Sequence, residues 1–200
     1  MITFTPNKVA FGRHETFHMR FGWLSKGYRS WCEAPELFEQ EDATVVLGVG
    51  KNMVSSIRYW LEAAQIVQSS AATGVVPTDI GSRLFAKESG WDPYLEDDAT
   101  LWLVHWLIAS NPRDATTFYW FFNRFYKPEF SAAELLSAVS EFAKEQIKNK
   151  VAATTLKHDI SALLRMYAPS DDAKGQIEER LDSPLSILGL LRRSPDGKFY

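Results

Sequence analysis

Two hundred residues, 46% of them hydrophobic and 24% charged, exclude a disordered chain and leave room for a sizeable core, as one compact unit or two small lobes. A formal net charge of −3 excludes a protein that coats DNA by positive charge alone, because non-specific binding rests on many Lys and Arg at phosphates. Cys32 is the single cysteine, so no intrachain disulfide can form, and a cytoplasmic setting is the expectation.

The first six residues hold no basic stretch followed by an apolar run, so no signal peptide is read. Residues 1–31 are aromatic and basic: Lys8, Arg13, Arg20, Lys26 and Arg29 stand against only Glu15. They read as strand or loop, then a short helix from Trp23. Within them His14-Glu15-Thr16-Phe17-His18 matches H-E-x-x-H. On a helix that spacing would put His14 and His18 on one face as zinc ligands, with Glu15 as general base and Glu33, Glu36 or Glu39 as a third ligand. No long helical pattern surrounds the motif. The competing reading is structural, with His14 and Glu15 hydrogen-bonding the entering chain to the core.

Residues 35–85 carry the strongest pattern. A short apolar helix ends at Leu47, a turn bearing Gly48 and Gly50 follows, and an amphipathic helix begins at about Lys51. This reads as a helix-turn-helix, whose second helix lies in the major groove with its N-terminal residues against base edges. Ala43 is small where the helices must approach, and Val54, Ile57 and Leu61 recur at helical intervals facing inward. The other face offers Lys51, Asn52, Ser55, Arg58 and Tyr59 to phosphates and bases. A purely structural helix pair explains the same pattern. A phosphate-binding loop does not, since Val45 and Asn52 stand where that motif needs Gly and Ser or Thr. Two β-prone runs, 66–68 and 74–77, flank small turn residues and read as the strands of a wing. Thr78 then caps a new helix.

A turn-rich break at 90–94 marks the expected boundary between an N-terminal unit, 1–90, and a helical unit, 91–200. Glu96, Asp97 and Asp98 read as the acidic first turn of the next helix rather than an ion site. Residues 100–110 are apolar nearly all round, as a buried core helix should be, and too few to cross a bilayer, which needs roughly 20 residues. His105 on that helix reads as a satisfied core histidine, and Asn111-Pro112 stops it. Residues 116–126 form a helix with a dense aromatic face, suited to a core or to stacking bases. Ser131 and Glu134 make a capping box for a helix running to about Lys148. Thr154 or Thr155 caps one more, through Leu156, Ile160, Leu163 and Leu164, with Lys157, His158 and Arg165 outward. This last pair reads either as a plain helix pair or as a second helix-turn-helix placing Lys150, Lys157 and His158 on DNA. Pro169 ends it, residues 170–180 read as a surface loop, and the C-terminus as a docked tail with a short helix and a strand.

Several long motifs carry a resemblance: residues 12–17, 20–24, 47–54, 57–60, 91–97, 102–106, 109–112 and 181–185, among them Leu47-Gly48-Val49-Gly50-Lys51-Asn52-Met53-Val54 and Trp91-Asp92-Pro93-Tyr94-Leu95-Glu96-Asp97. Over nearly its whole length the chain resembles the domain of unknown function 4007 family. In that family the position of His18 is often Pro, which weighs against a zinc ligand there. The resemblance implies an operon context beside sulfurtransferase-like enzymes that place sulfur in the DNA backbone and serve bacterial defence. It supplies no catalytic residues.

The expectation is therefore a mainly α protein, a winged helix-turn-helix lobe with a small β-wing packed on a C-terminal helical lobe. Its expected role is that of a non-enzymatic, DNA-binding subunit of a phosphorothioate-modification system without cofactor, metal or membrane. Lys51, Asn52, Ser55, Arg58 and Tyr59 would meet the major groove of double-stranded DNA, and Arg13, Arg20 and Lys26 would hold phosphates. A regulator of such an operon, or an adaptor that binds a sulfurtransferase-like partner and no DNA, remain open alternatives.

Overall fold

A computed structural model describes residues 2–70, 74–169 and 182–200; the surface loop expected at 170–180 lies outside them. The architecture is mainly helical, with eight α-helices and one two-stranded sheet among the described residues.

Helix α1, Trp23–Glu33, starts behind Gly22, which takes a left-handed φ of 76°, and stops at Ala34 ahead of Pro35. Leu24, Tyr28 and Trp31 share its buried face. Helix α2 (Ala43–Leu47) and helix α3 (Lys51–Ala63) are joined by the expected tight turn. Gly48 is left-handed there, with φ 58°, whereas Gly50 sits at φ −67°, where any residue fits. α1 lies directly on α3: a Cβ at Gly27 would stand 2.5 Å from Ile57 Cγ2, so only glycine admits this approach.

After α3, β1 (Val67–Ser70) and β2 (Gly74–Pro77) pair antiparallel, with Val67 opposite Pro77. The first strand thus takes in Ser69 and Ser70, which read as turn from composition. Helix α4, Asp79–Phe85, is capped by the Thr78 hydroxyl, which accepts from the Gly81 amide at 3.0 Å. The order helix, turn, helix, hairpin, helix is present in full.

Helix α5 (Asp98–Ala109) begins at Asp97, whose carboxylate accepts from the Ala99 amide at 2.8 Å. It is not buried all round: Trp102 is 48% exposed and Trp106 53%. They stand four residues apart on one outward face, and composition alone could not distinguish them from core tryptophans. Helix α6 runs Thr116–Arg124, α7 Ala132–Gln146 and α8 Ala153–Tyr167. The Ser131–Glu134 capping box is formed in both directions. Thr154 and Thr155 do not cap α8; its N-cap is Ala152, so the helix starts two or three residues early with no side-chain cap. A 3₁₀ turn at Pro184–Leu188 packs on α5 and α8. Near the C-terminus Phe199 makes isolated antiparallel bridges to Phe130 and Arg193, so the tail docks without forming the expected strand.

One apolar cluster runs through both halves of the chain. Trp60 of α3, with no exposed surface, meets Phe118 of α6 edge-on at 5.4 Å. Asn111 does more than stop α5. Its buried amide donates to the Ala63 carbonyl at 3.1 Å, closing the end of α3, while its Oδ1 accepts from the Asp114 amide. Cys32 is exposed.

Candidate nucleic-acid interface

The first turns of α3 present Lys51, Asn52 and Ser55 to solvent while Val54, Ile57 and Leu61 face the core. The 3.6-residue period separates the two sets, as the sequence pattern requires. Arg58 is on the same side, but its guanidinium pairs with Glu39 at 2.5 Å and with Glu62 at 3.7 Å. The Glu62 partner is an i,i+4 pair visible in the sequence; Glu39 comes from the 3₁₀ turn at Leu37–Glu39 and was not foreseeable.

Tyr59 is not on the open face. It is 6% exposed, because the chain entering at His14 crosses this end of α3 and places its ring 5.9 Å from the phenol ring. Burial first, then the nearby carboxylates of Asp159 and Asp114, push the Tyr59 hydroxyl well above its ordinary pKa. It is therefore a neutral group facing the interior.

Arg13 is brought beside Arg58 across a cleft of about 390 Å³, whose other walls include Glu15, Ser55 and Glu62. Glu62 is 7% exposed, within 3.8 Å of Arg13 and accepting from the Ser69 hydroxyl at 2.9 Å. One buried carboxylate thus gathers α3, the N-terminal segment and the hairpin. Lys26 donates to the Leu47 carbonyl at 2.6 Å, closing α2 as well as carrying charge beside the turn. Arg20 lies apart from this group, 3.5 Å from Asp182 and above the Trp23 ring at 5.7 Å. Of the second set, Lys150, Lys157 and His158 are all exposed. Lys150 shares a groove of about 460 Å³ with Lys144 and Lys148, whereas Lys157 lines a different groove between α7 and α8.

The H-E-x-x-H segment is not helical: Glu15 and Thr16 take left-handed φ values of 50° and 67°. The backbone therefore does not stack His14 over His18 on a helix face. His14 is buried, and its Nε2 lies 2.8 Å from Asp159 Oδ1 on α8. Oδ1 also accepts from the Gly12 amide at 2.7 Å, and Oδ2 accepts from the Thr117 hydroxyl at 2.6 Å. The entering chain is tied to the core through His14, as the structural reading holds, and Glu15 is exposed. His105 is satisfied through Nδ1 by the Tyr167 hydroxyl at 2.9 Å.

His18 is 3% exposed, and its pKa is lowered to about 4, by burial first and then by Arg165 and Arg20. A depressed folded pKa means the unfolded chain takes up the proton first. Stability is thus intact above about pH 6.5 and is lost as pH falls toward 4, by roughly 3 kcal/mol for this group. His18→Leu should therefore lose less stability than the natural protein between pH 7 and 4.5. Urea midpoints at both pH values measure it, and parallel losses in the two proteins would refute it.

Fold and site define a mostly helical protein that offers the exposed, polar start of one helix, without a side-chain partner among the described residues, beside a β-hairpin. The chain belongs to the family described as "Protein of unknown function (DUF4007)", which matches residues 11–200. Two solved structures are similar at 32% identity: the magnesium ion-bound crystal structure of SspB, with a TM-score of 0.84, and an SspB crystal structure, with a TM-score of 0.83. Each comparison covers 95% of this chain but only 59% and 58% of the longer protein. No curated protein sequence matches. No helix among the described residues is long and apolar enough to cross a membrane.

Proposed function

We propose that this protein is a DNA-binding accessory subunit of a bacterial phosphorothioate-modification and defence system, acting in the cytoplasm beside a sulfurtransferase-like enzyme. The reading takes residues 35–85 as a winged helix, with α3 in the major groove and the β1–β2 hairpin as the wing. One observation carries it: Lys51, Asn52 and Ser55 sit together, exposed, on the first turns of α3. Those are the positions a major-groove helix uses. Because Arg58 and Arg13 already face Glu39 and Glu62, the principal contact is the Lys51 end of the helix. The DNA system itself is inferred from the family resemblance.

A salt-titrated binding assay on duplex DNA tests this. Lys51→Ala should lower affinity and reduce the slope against log salt by about 1. Arg58→Ala should change the slope less. Duplex binding unaffected by Lys51→Ala would overturn α3 as the contact, and no duplex binding by the natural protein near physiological salt would move it to the adaptor class. The proposal gives the subunit no catalytic step. Incubation of supercoiled plasmid with magnesium checks that, a condition chosen because a similar structure carries the ion; conversion to nicked circles would replace it with an enzymatic reading.

A further inference from the structure

Away from α3, a second concavity of about 620 Å³ opens between α5, α6 and the N-terminal segment. Its wall holds Phe4, Trp106, Tyr119 and Phe122, together with Asn123 and Arg124. The Phe4 and Tyr119 rings are parallel to within 4°, with centroids 6.3 Å apart. The Arg124 guanidinium lies 5.2 Å from the Phe4 ring and 5.9 Å from the Tyr119 ring. Trp106 is half-exposed and makes no ring contact among the described residues. Asn123 donates its amide N–H groups to the Ala109 and Tyr119 carbonyls, both at 2.8 Å. That fixes the side chain and leaves Oδ1 as an acceptor.

We propose that this concavity is a binding site for an unpaired, amino-bearing nucleobase, with Trp106 as the stacking face and Asn123 Oδ1 accepting from the exocyclic amino group. Aromatic faces joined by an arginine suit a base. The volume lies in the range of small-ligand sites. Duplex DNA offers no exposed base face, so the ligand is a single strand, an extruded base or a free nucleotide. The inference rests on the reading that the protein engages DNA, and it assigns that engagement a second, strand-separated mode.

The test compares the full chain with Trp106→Ala, Trp106→Phe, Arg124→Ala and Lys51→Ala. Labelled oligodeoxyadenylate and duplex are read by anisotropy, and deoxyadenosine monophosphate by equilibrium dialysis. Trp106→Ala should weaken oligodeoxyadenylate binding ~10-fold or more, the scale of one lost stacking contact, leave duplex binding unchanged, and be restored by Trp106→Phe. Oligothymidylate, lacking the amino group, should bind more weakly than oligodeoxyadenylate. Binding of the oligonucleotide without the mononucleotide identifies the ligand as DNA; binding of both identifies the base itself as sufficient. Trp106→Ala and Arg124→Ala binding single strands as well as the natural protein, or no binding of either probe, overturns the site. Loss of duplex binding in Lys51→Ala alone tests the α3 interface separately, so either can fail without the other.

Discussion

Asp159→Ala should destabilise the protein by about 3–5 kcal/mol, the range for removing one partner of a buried charged network. Its carboxylate receives the Thr117 hydroxyl and His14 Nε2 inside the core and the Gly12 amide at the core's edge. Alanine leaves the Thr117 hydroxyl and His14 Nε2 without this partner in the buried interior. In a chain of this size the melting temperature should drop by roughly 10 °C. Asp159→Asn keeps the shape but must turn an N–H toward one of the donors, so it should fall between. A double-mutant cycle with His14→Ala should show coupling of at least ~0.5 kcal/mol. A loss for Asp159→Ala below about 1 kcal/mol in urea unfolding would refute the network's importance.

Gly81→Ala should be nearly as severe. A Cβ there would stand 2.0 Å from the Ile66 carbonyl oxygen and 2.9 Å from its carbon. These are backbone atoms, so no rotamer relieves the overlap. The same carbonyl accepts the Thr78 amide at 3.0 Å and its hydroxyl at 3.1 Å, and Thr78 caps α4. Alanine must push α4 off the start of the hairpin and open the cap. The expected loss is about 3 kcal/mol, at the upper end for overpacking. Under the winged-helix reading, duplex affinity should fall with it. A variant with an unchanged melting temperature would show that α4 and the hairpin separate freely.

The fold was most legible where local chemistry and periodicity agree. Apolar spacing along α3, the Thr78 cap and the Ser131–Glu134 box are local devices, and each is formed. What escaped depends on partners distant in sequence. Tyr59 has the spacing of a surface residue on α3, but the His14 segment, folded over that end, lies against it. Trp102 and Trp106 have the composition of core, yet no element among the described residues covers them fully. Arg58 looked like a free cation until the 3₁₀ turn delivered Glu39. The open face of the candidate interface was thus readable at Lys51, Asn52 and Ser55, and unreadable at its downstream end, where tertiary charge pairing decides. Lys26 was legible as basic but not as the donor that closes α2.

The knot at Asp159 also bears on the order in which the molecule can be completed. Gly12 and His14 await a carboxylate 147 and 145 residues further along, and His14 stacks on Trp60 and against Tyr59 of α3. During synthesis, therefore, the hairpin and the first helices can assemble early, but the cover over the end of α3 cannot lock until α8 has left the ribosome. Contacts of such sequence separation form slowly and late. Until then Tyr59 and Trp60 are short of their final shelter, and losing the segment that carries Gly12 and His14 would act on the core.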